Sequence, residues 1–209
     1  MRYLDDMIKE NSEISILKND IEKAIDLLEE CFKKGNKLLI CGNGGSASDS
    51  AHITGELMKS FVKKRKISDD MINNLKKICT SDELDLYNNY LEQGLPCIDL
   101  TAFCSLNTAF INDTKSELLY ANSVLGLGKE GDVLLSITTS GNSKNILHAV
   151  NVAKAKNIKT IALTGKSGGK IKDMVDISII SPKKDTYKIQ EDHIKIYHTI
   201  CLEIEDKMF

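Results

Sequence analysis

The sequence predicts an α/β fold, a three-layer α/β/α sandwich built on one mostly parallel sheet. Three observations predict it. Short apolar runs recur along the chain, and each is followed by a loop of small residues and then by a helical stretch. The 209 residues, 42% of them hydrophobic, suffice for one core, since a chain of this size buries roughly 70% of its unfolded surface. The alternation has one interruption, so 1–209 reads as a single domain with an N-terminal helical segment over 1–35 and an insertion at about 63–95.

The elements follow in order. Apolar residues at helical spacing, from Ile14 and Leu17 to Cys31 and Phe32, predict a helix over 13–34, ended by the basic turn Lys33-Lys34 and by Gly35. Lys37-Leu38-Leu39-Ile40-Cys41 is short and apolar enough for a buried strand. A glycine-rich loop and a helix over about 46–62 come next. Further strands are expected at 97–100, 132–137, 158–164 and 175–180, the last stopped by Pro182. Helices are expected at about 105–111, 144–156 and 187–207. Within the insertion, Lys63-Lys64-Arg65-Lys66 reads as a solvated helix end, and Ser68-Asp69-Asp70 as the cap of a short helix through Leu75 and Ile78. A second short helix is expected from Leu84 to Leu91.

Charge and cysteine content exclude several function classes. Twenty-eight Lys and Arg against thirty Asp and Glu give a net charge of −2, which lacks the basic field of non-specific nucleic-acid binding. No apolar run approaches the roughly 20 residues that span a bilayer. The start Met1-Arg2-Tyr3-Leu4-Asp5-Asp6 is too acidic for a signal peptide. Six cysteines without a CxxC pair read as free thiols. The expectation is a cytoplasmic protein with no membrane and no nucleic-acid partner.

Two loops carry candidate binding chemistry. Gly42-Asn43-Gly44-Gly45-Ser46 lets a ligand approach the backbone at a helix start, where unpaired N–H groups and the positive dipole end favour an anion. Thr138-Thr139-Ser140-Gly141-Asn142-Ser143 sets four hydroxyls at a similar helix start. Neither fits a dinucleotide or P-loop fingerprint. Together they point to a phosphorylated small molecule bound at the carboxyl ends of the strands. His52 and Glu56, four apart, share one helix face and suit acid–base work or a Zn²⁺ pair. Gln190 and His198 lie on the last helix, eight apart and so about 12 Å of rise. They meet one ion only if their side chains lean together; otherwise they serve different sites or meet across subunits. His148 and His193 receive no role.

These residues resemble the sugar isomerase (SIS) fold and, within it, the phosphoheptose (sedoheptulose 7-phosphate) isomerase family. The matching stretches are Gly42–Ala47, His52–Glu56, Asn112-Asp113, Gly131–Leu134, Thr139–Ser143, Leu163–Gly165, Asp185-Thr186, Gln190-Glu191 and His198. The resemblance implies that Asn43, Gly44, Gly45 and Ser46 contact a sugar phosphate, that Asn112 and Asp113 hold its hydroxyls, and that Thr138, Thr139, Ser140 and Ser143 bind its phosphate. Glu56 and His198 are similar to the family's acid–base pair, and Gln190 belongs to the substrate site. His52, Glu56, Gln190 and His198 match the set that holds Zn²⁺ in metal-bearing members. A homotetramer with active sites between subunits is implied as well. Ser60 stands where the family usually has Arg, Arg65 still matches a second family arginine, Lys66 replaces a usual Pro, and Tyr187 and the longer insertion also depart, so the substrate is less constrained than the reaction. The expected activity is conversion of sedoheptulose 7-phosphate to D-glycero-D-manno-heptose 7-phosphate through an enediol, for heptose-containing glycans. The competing readings are a non-catalytic SIS module that binds a replication-initiation protein, and an isomerase for another sugar phosphate.

Overall fold

The computed structural model describes residues 1–209. Five parallel strands, β1 (Leu38–Gly42), β2 (Cys97–Asp99), β3 (Val133–Thr138), β4 (Lys159–Gly165) and β5 (Ile177–Ser181), lie in the order β2-β1-β3-β4-β5. Alternate strand residues feed opposite faces, as the period of two requires. Leu38, Ile40, Val133, Leu135 and Ile137 enter the core shared with α1 (Arg2–Glu10), α2 (Lys18–Lys33), α3 (Gly45–Met58) and α9 (Thr186–Met208). Leu39, Cys41 and Leu134 enter the core under α7 (Leu119–Leu127) and α8 (Lys144–Ala155). The first core gathers 27 buried residues and the second 14, so the α9 face dominates the packing. At the opposite edge from the loops, fully buried Asp132 accepts from the Lys37 and Lys129 backbone N–H groups (3.0 and 2.8 Å) and pairs with Lys37 Nζ (2.6 Å). That clamp fixes the register of β1 against β3, Leu38 opposite Val133.

Two helices were not individually delimited. α1 falls within the N-terminal helical segment expected over 1–35, but as a helix separate from α2; its Leu4 and Met7 are buried, and the Leu4 N–H donates to Glu203 Oε1 (2.9 Å). α7 carries apolar and small residues around its circumference rather than along one stripe, so no helical period marks it. The helix expected from residue 13 begins at Lys18, after a 3₁₀ turn over Ser12–Leu17.

The helix after the first loop ends at Met58, four residues early, and its end explains residues 60–65. Arg65 is buried. Its Nη1 and Nη2 donate to the carbonyls of Leu57 and Glu56 (2.7 and 3.0 Å), and its Nε donates to buried Glu205 (2.7 Å). The Glu205 carboxylate also accepts the N–H groups of Phe61, Val62 and Lys63. The basic run is therefore corrected: Arg65 is a buried C-terminal cap on α3, and only its lysine neighbours are solvated. The insertion forms α4 (Asp69–Leu75) and α5 (Ser81–Tyr90), capped by Ser68 and by a Thr80–Glu83 capping box, and neither helix buries a residue. All six cysteines are unpaired; Cys104 is exposed and Cys79 half-buried. α6 (Cys104–Asp113) completes the helices, and none of them is long and apolar enough to cross a membrane.

Candidate active site

The strand order reverses direction between β1 and β3, and an open parallel sheet binds ligands at such a switch point, beyond the carboxyl ends of the strands. The loops after β1 and β3 flank that crevice and lead into the N-termini of α3 and α8. Gly44 has φ +56°, a conformation that suits glycine. Tyr120 Oη donates to the Gly42 carbonyl (2.6 Å) and fixes where β1 ends. Asn43 and Asn145 exchange amide hydrogen bonds of 3.0 and 2.9 Å, tying the first loop to the first turn of α8. Thr138 and Ser143 hydroxyls lie 3.2 Å apart across the second loop, and Ser140 Oγ accepts the Asn142 N–H. Thr139 and Ser140 are half-buried and Ser46 is buried at the start of α3. Gly141, at φ +66°, packs directly on the Gly168 carbonyl, which leaves no room for a Cβ.

α3 and α9 pack against each other, and this brings the titratable residues together. His52 Nε2 lies 3.2 Å from Glu56 Oε1 and 3.4 Å from His198 Nε2. Glu56 and His198 thus meet across His52 within one chain. Lys59 Nζ reaches Glu56 Oε2 (3.2 Å), and Phe61 packs on the His198 ring. Burial, with a smaller contribution from His52, lowers the His198 pKa below its ordinary value. Behind this group, Tyr197 Oη lies 2.9 Å from His52 Nδ1. Burial pushes the nearby Asp49 carboxyl up to about 6.

Gln190 does not join this cluster. Its amide lies on Gly45, at the start of α3, while His198 meets His52 two turns further along. Gln190 therefore sits at the glycine-loop end of the site. Asn112 and Asp113 are exposed at the end of α6 and hydrogen-bond to each other (2.8 Å) rather than to the remaining site residues. Zinc with N and O ligands at about 2.0–2.2 Å has tetrahedral edges of about 3.3–3.6 Å. The two spacings around His52 come close to such edges. No three His, Cys, Asp or Glu side chains close into a metal-holding group. The donors fit zinc in kind and along two edges.

Sequence reasoning missed four contributors: Asn145, Asp49, Tyr197 and the Arg65–Glu205 pair. Asn145 sits two residues beyond Ser143, on the exposed face of a helix start, and Asp49 precedes His52 by less than one turn. Helical phase could have placed both near the loops. Nothing in the sequence pairs Arg65 with Glu205, 140 residues away.

Comparisons with known proteins bear on this geometry. SIS-domain family models match residues 2–97 and 108–199. The phosphoheptose isomerase of Campylobacter jejuni (serotype O:6) is 40% identical over 93% of this chain and 90% of its own length. The chain belongs to the phosphoheptose isomerase family. The Aliarcobacter butzleri member is 37% identical over 93% of this chain and 89% of its own. Solved phosphoheptose isomerases from Francisella tularensis and Neisseria gonorrhoeae superpose with TM-scores of 0.77 and 0.76 at 33% and 32% identity. They cover 98% and 96% of this chain, and it covers 95% and 94% of theirs. The chain is a SIS-domain isomerase, as the resemblance to the family implies.

Proposed function

We propose that this enzyme interconverts sedoheptulose 7-phosphate and D-glycero-D-manno-heptose 7-phosphate in the cytoplasm, for heptose-containing glycans. The observation that carries the reading is the meeting of Glu56 and His198 around His52, beside two anion-binding loops at the sheet's switch point. The names of the relatives supply the heptose. The six unpaired cysteines suit a reducing compartment.

The phosphate is held by the hydroxyls of Thr138, Thr139, Ser140 and Ser143 and by the N-terminus of α8. Asn43, Gly44, Gly45, Ser46 and Gln190 line the way from there to the acid–base group. One member of the Glu56–His198 pair removes a proton from C1 of the open-chain ketose. The electron pair becomes the C1=C2 bond while the C2 oxygen takes a proton, giving the enediol. O1 then loses its proton as the aldehyde forms, and a proton returns to C2. The lowered basicity of His198 keeps its imidazole neutral near pH 7, ready to accept a proton. His52, Glu56 and His198 would hold a zinc ion; Gln190, the fourth residue of the set the resemblance implies, lies on Gly45 at the loop end. Bound there, zinc would polarise the substrate oxygens and stabilise negative charge on them.

We propose also that the enzyme is a homotetramer with active sites at subunit contacts. Asn112 and Asp113 then reach a neighbour's sugar, and the exposed Leu106, Ile111 and Leu125 on α6 and α7 become covered. The test is Glu56→Gln and His198→Gln, assayed with sedoheptulose 7-phosphate in D₂O. Each is expected to lose at least about 100-fold in kcat and in deuterium entry at C2. Wild-type turnover in both variants refutes the assignment.

A further inference from the structure

Tyr197 has no place in the proton transfers above, yet it is bound to their centre. Its ring is buried and lies edge-on to both His52 and His198, with centroids 5.5 and 4.9 Å away. Its hydroxyl lies 2.9 Å from His52 Nδ1. The other ring nitrogen, Nε2, faces Glu56 and His198. A histidine with one nitrogen held by a buried partner has its ring plane fixed, and with it the direction its other nitrogen faces. The alternative for His52 is a half-exposed side chain, free to turn about its χ angles and to swap nitrogens. Asp49, also buried, lies beside the same hydroxyl, and its Oδ2 has no hydrogen-bond partner. The phenol thus lies between a buried carboxyl group and the imidazole.

We infer that Tyr197 is a positioning residue: by hydrogen-bonding Nδ1 of His52 it turns Nε2 toward Glu56 and His198 and holds the acid–base pair at working separation. The inference rests on the isomerase reading for its kinetic consequence and on geometry alone for the contact. Tyr197 is buried behind His52. Its effect passes through His52, so it should be felt in turnover rather than in substrate binding.

The experiment is Tyr197→Phe, which keeps the buried ring and removes only the oxygen. Isomerisation of sedoheptulose 7-phosphate is expected to fall about 10- to 100-fold in kcat, the usual range for losing such an outer partner, while KM stays within about twofold. Nitrogen-15 spectra of the imidazoles supply the second readout; with four histidines in the chain, the His52 signals are assigned by His52→Gln. The His52 Nδ1 resonance is expected to move when the hydroxyl is removed. Ile196→Val, a neighbouring core change on α9, serves as the packing control. It costs about 1 kcal/mol of stability and should leave both kcat and the His52 resonance in place. Wild-type kcat in Tyr197→Phe, or an unmoved Nδ1 resonance, overturns the proposal. So does an equal loss of kcat in Ile196→Val. An inactive wild-type protein defeats the substrate reading instead, and the nitrogen shift then decides the Tyr197 contact by itself.

Discussion

His193 offers a measurement of how α9 is held against the sheet. It is fully buried, its Nε2 donates to the Thr164 carbonyl (3.1 Å), and its Nδ1 has no partner. Burial pushes its pKa from the ordinary 6.5 down to about 4, despite the neighbouring Asp192. The folded protein therefore carries a neutral imidazole where the unfolded chain carries a protonated one at mildly acidic pH. The stabilisation is fully present above pH 6.5 and is lost as pH falls from there toward 4, because the unfolded state binds the extra proton. At pH 5 the unfolded imidazole is almost fully charged and the native one almost fully neutral, so the loss is about 2 kcal/mol, rising toward about 3 kcal/mol near pH 4. The chain has no tryptophan, so urea unfolding is best followed by far-ultraviolet circular dichroism at a fixed protein concentration. The wild type is expected to lose about 2 kcal/mol more between pH 8 and pH 5 than His193→Gln, whose amide can still donate to Thr164. The variant's own destabilisation cancels, since only the pH dependence is compared. Equal pH dependence in the two proteins would refute the burial argument.

Two further outcomes are expected. Arg65→Met removes the charge opposite Glu205 and the donors to the last carbonyls of α3; chemical denaturation should show a loss of about 3–5 kcal/mol, with reduced turnover because Glu56 sits on the turn that comes loose. Gly45→Ala places a methyl group against the Gln190 amide, so steady-state kinetics should show kcat/KM falling about 10-fold, a transition-state loss of about 1.4 kcal/mol, and an unchanged value would remove Gln190 from the site.

The sequence alone determined the strand–helix alternation, both hydroxyl-bearing loops and the shared helix face of His52 and Glu56, because each is written in local pattern. Apolar runs such as Leu38–Cys41 identify strands without help from the rest of the chain, and the four-residue spacing of His52 and Glu56 places them on one face of any helix. The first short helix of the insertion announced itself through Ser68, whose cap is a local hydrogen bond, while the Thr80–Glu83 capping box that starts the second was local too but passed unread. The tertiary structure decided what depends on contacts between distant segments. α7 is apolar around its circumference, and its packing beside α8 over one face of the sheet decides which side is buried. By local pattern Arg65 belongs to a solvated basic run, and only Glu205 meeting it under the end of α3 shows what it holds. Gln190 and His198 share a helix, but the packing of α9 along α3 sends one to the glycine loop and the other to His52. The physical reason is common to these cases: a spacing along one element fixes direction, whereas partnership is fixed by which faces two elements bury against each other.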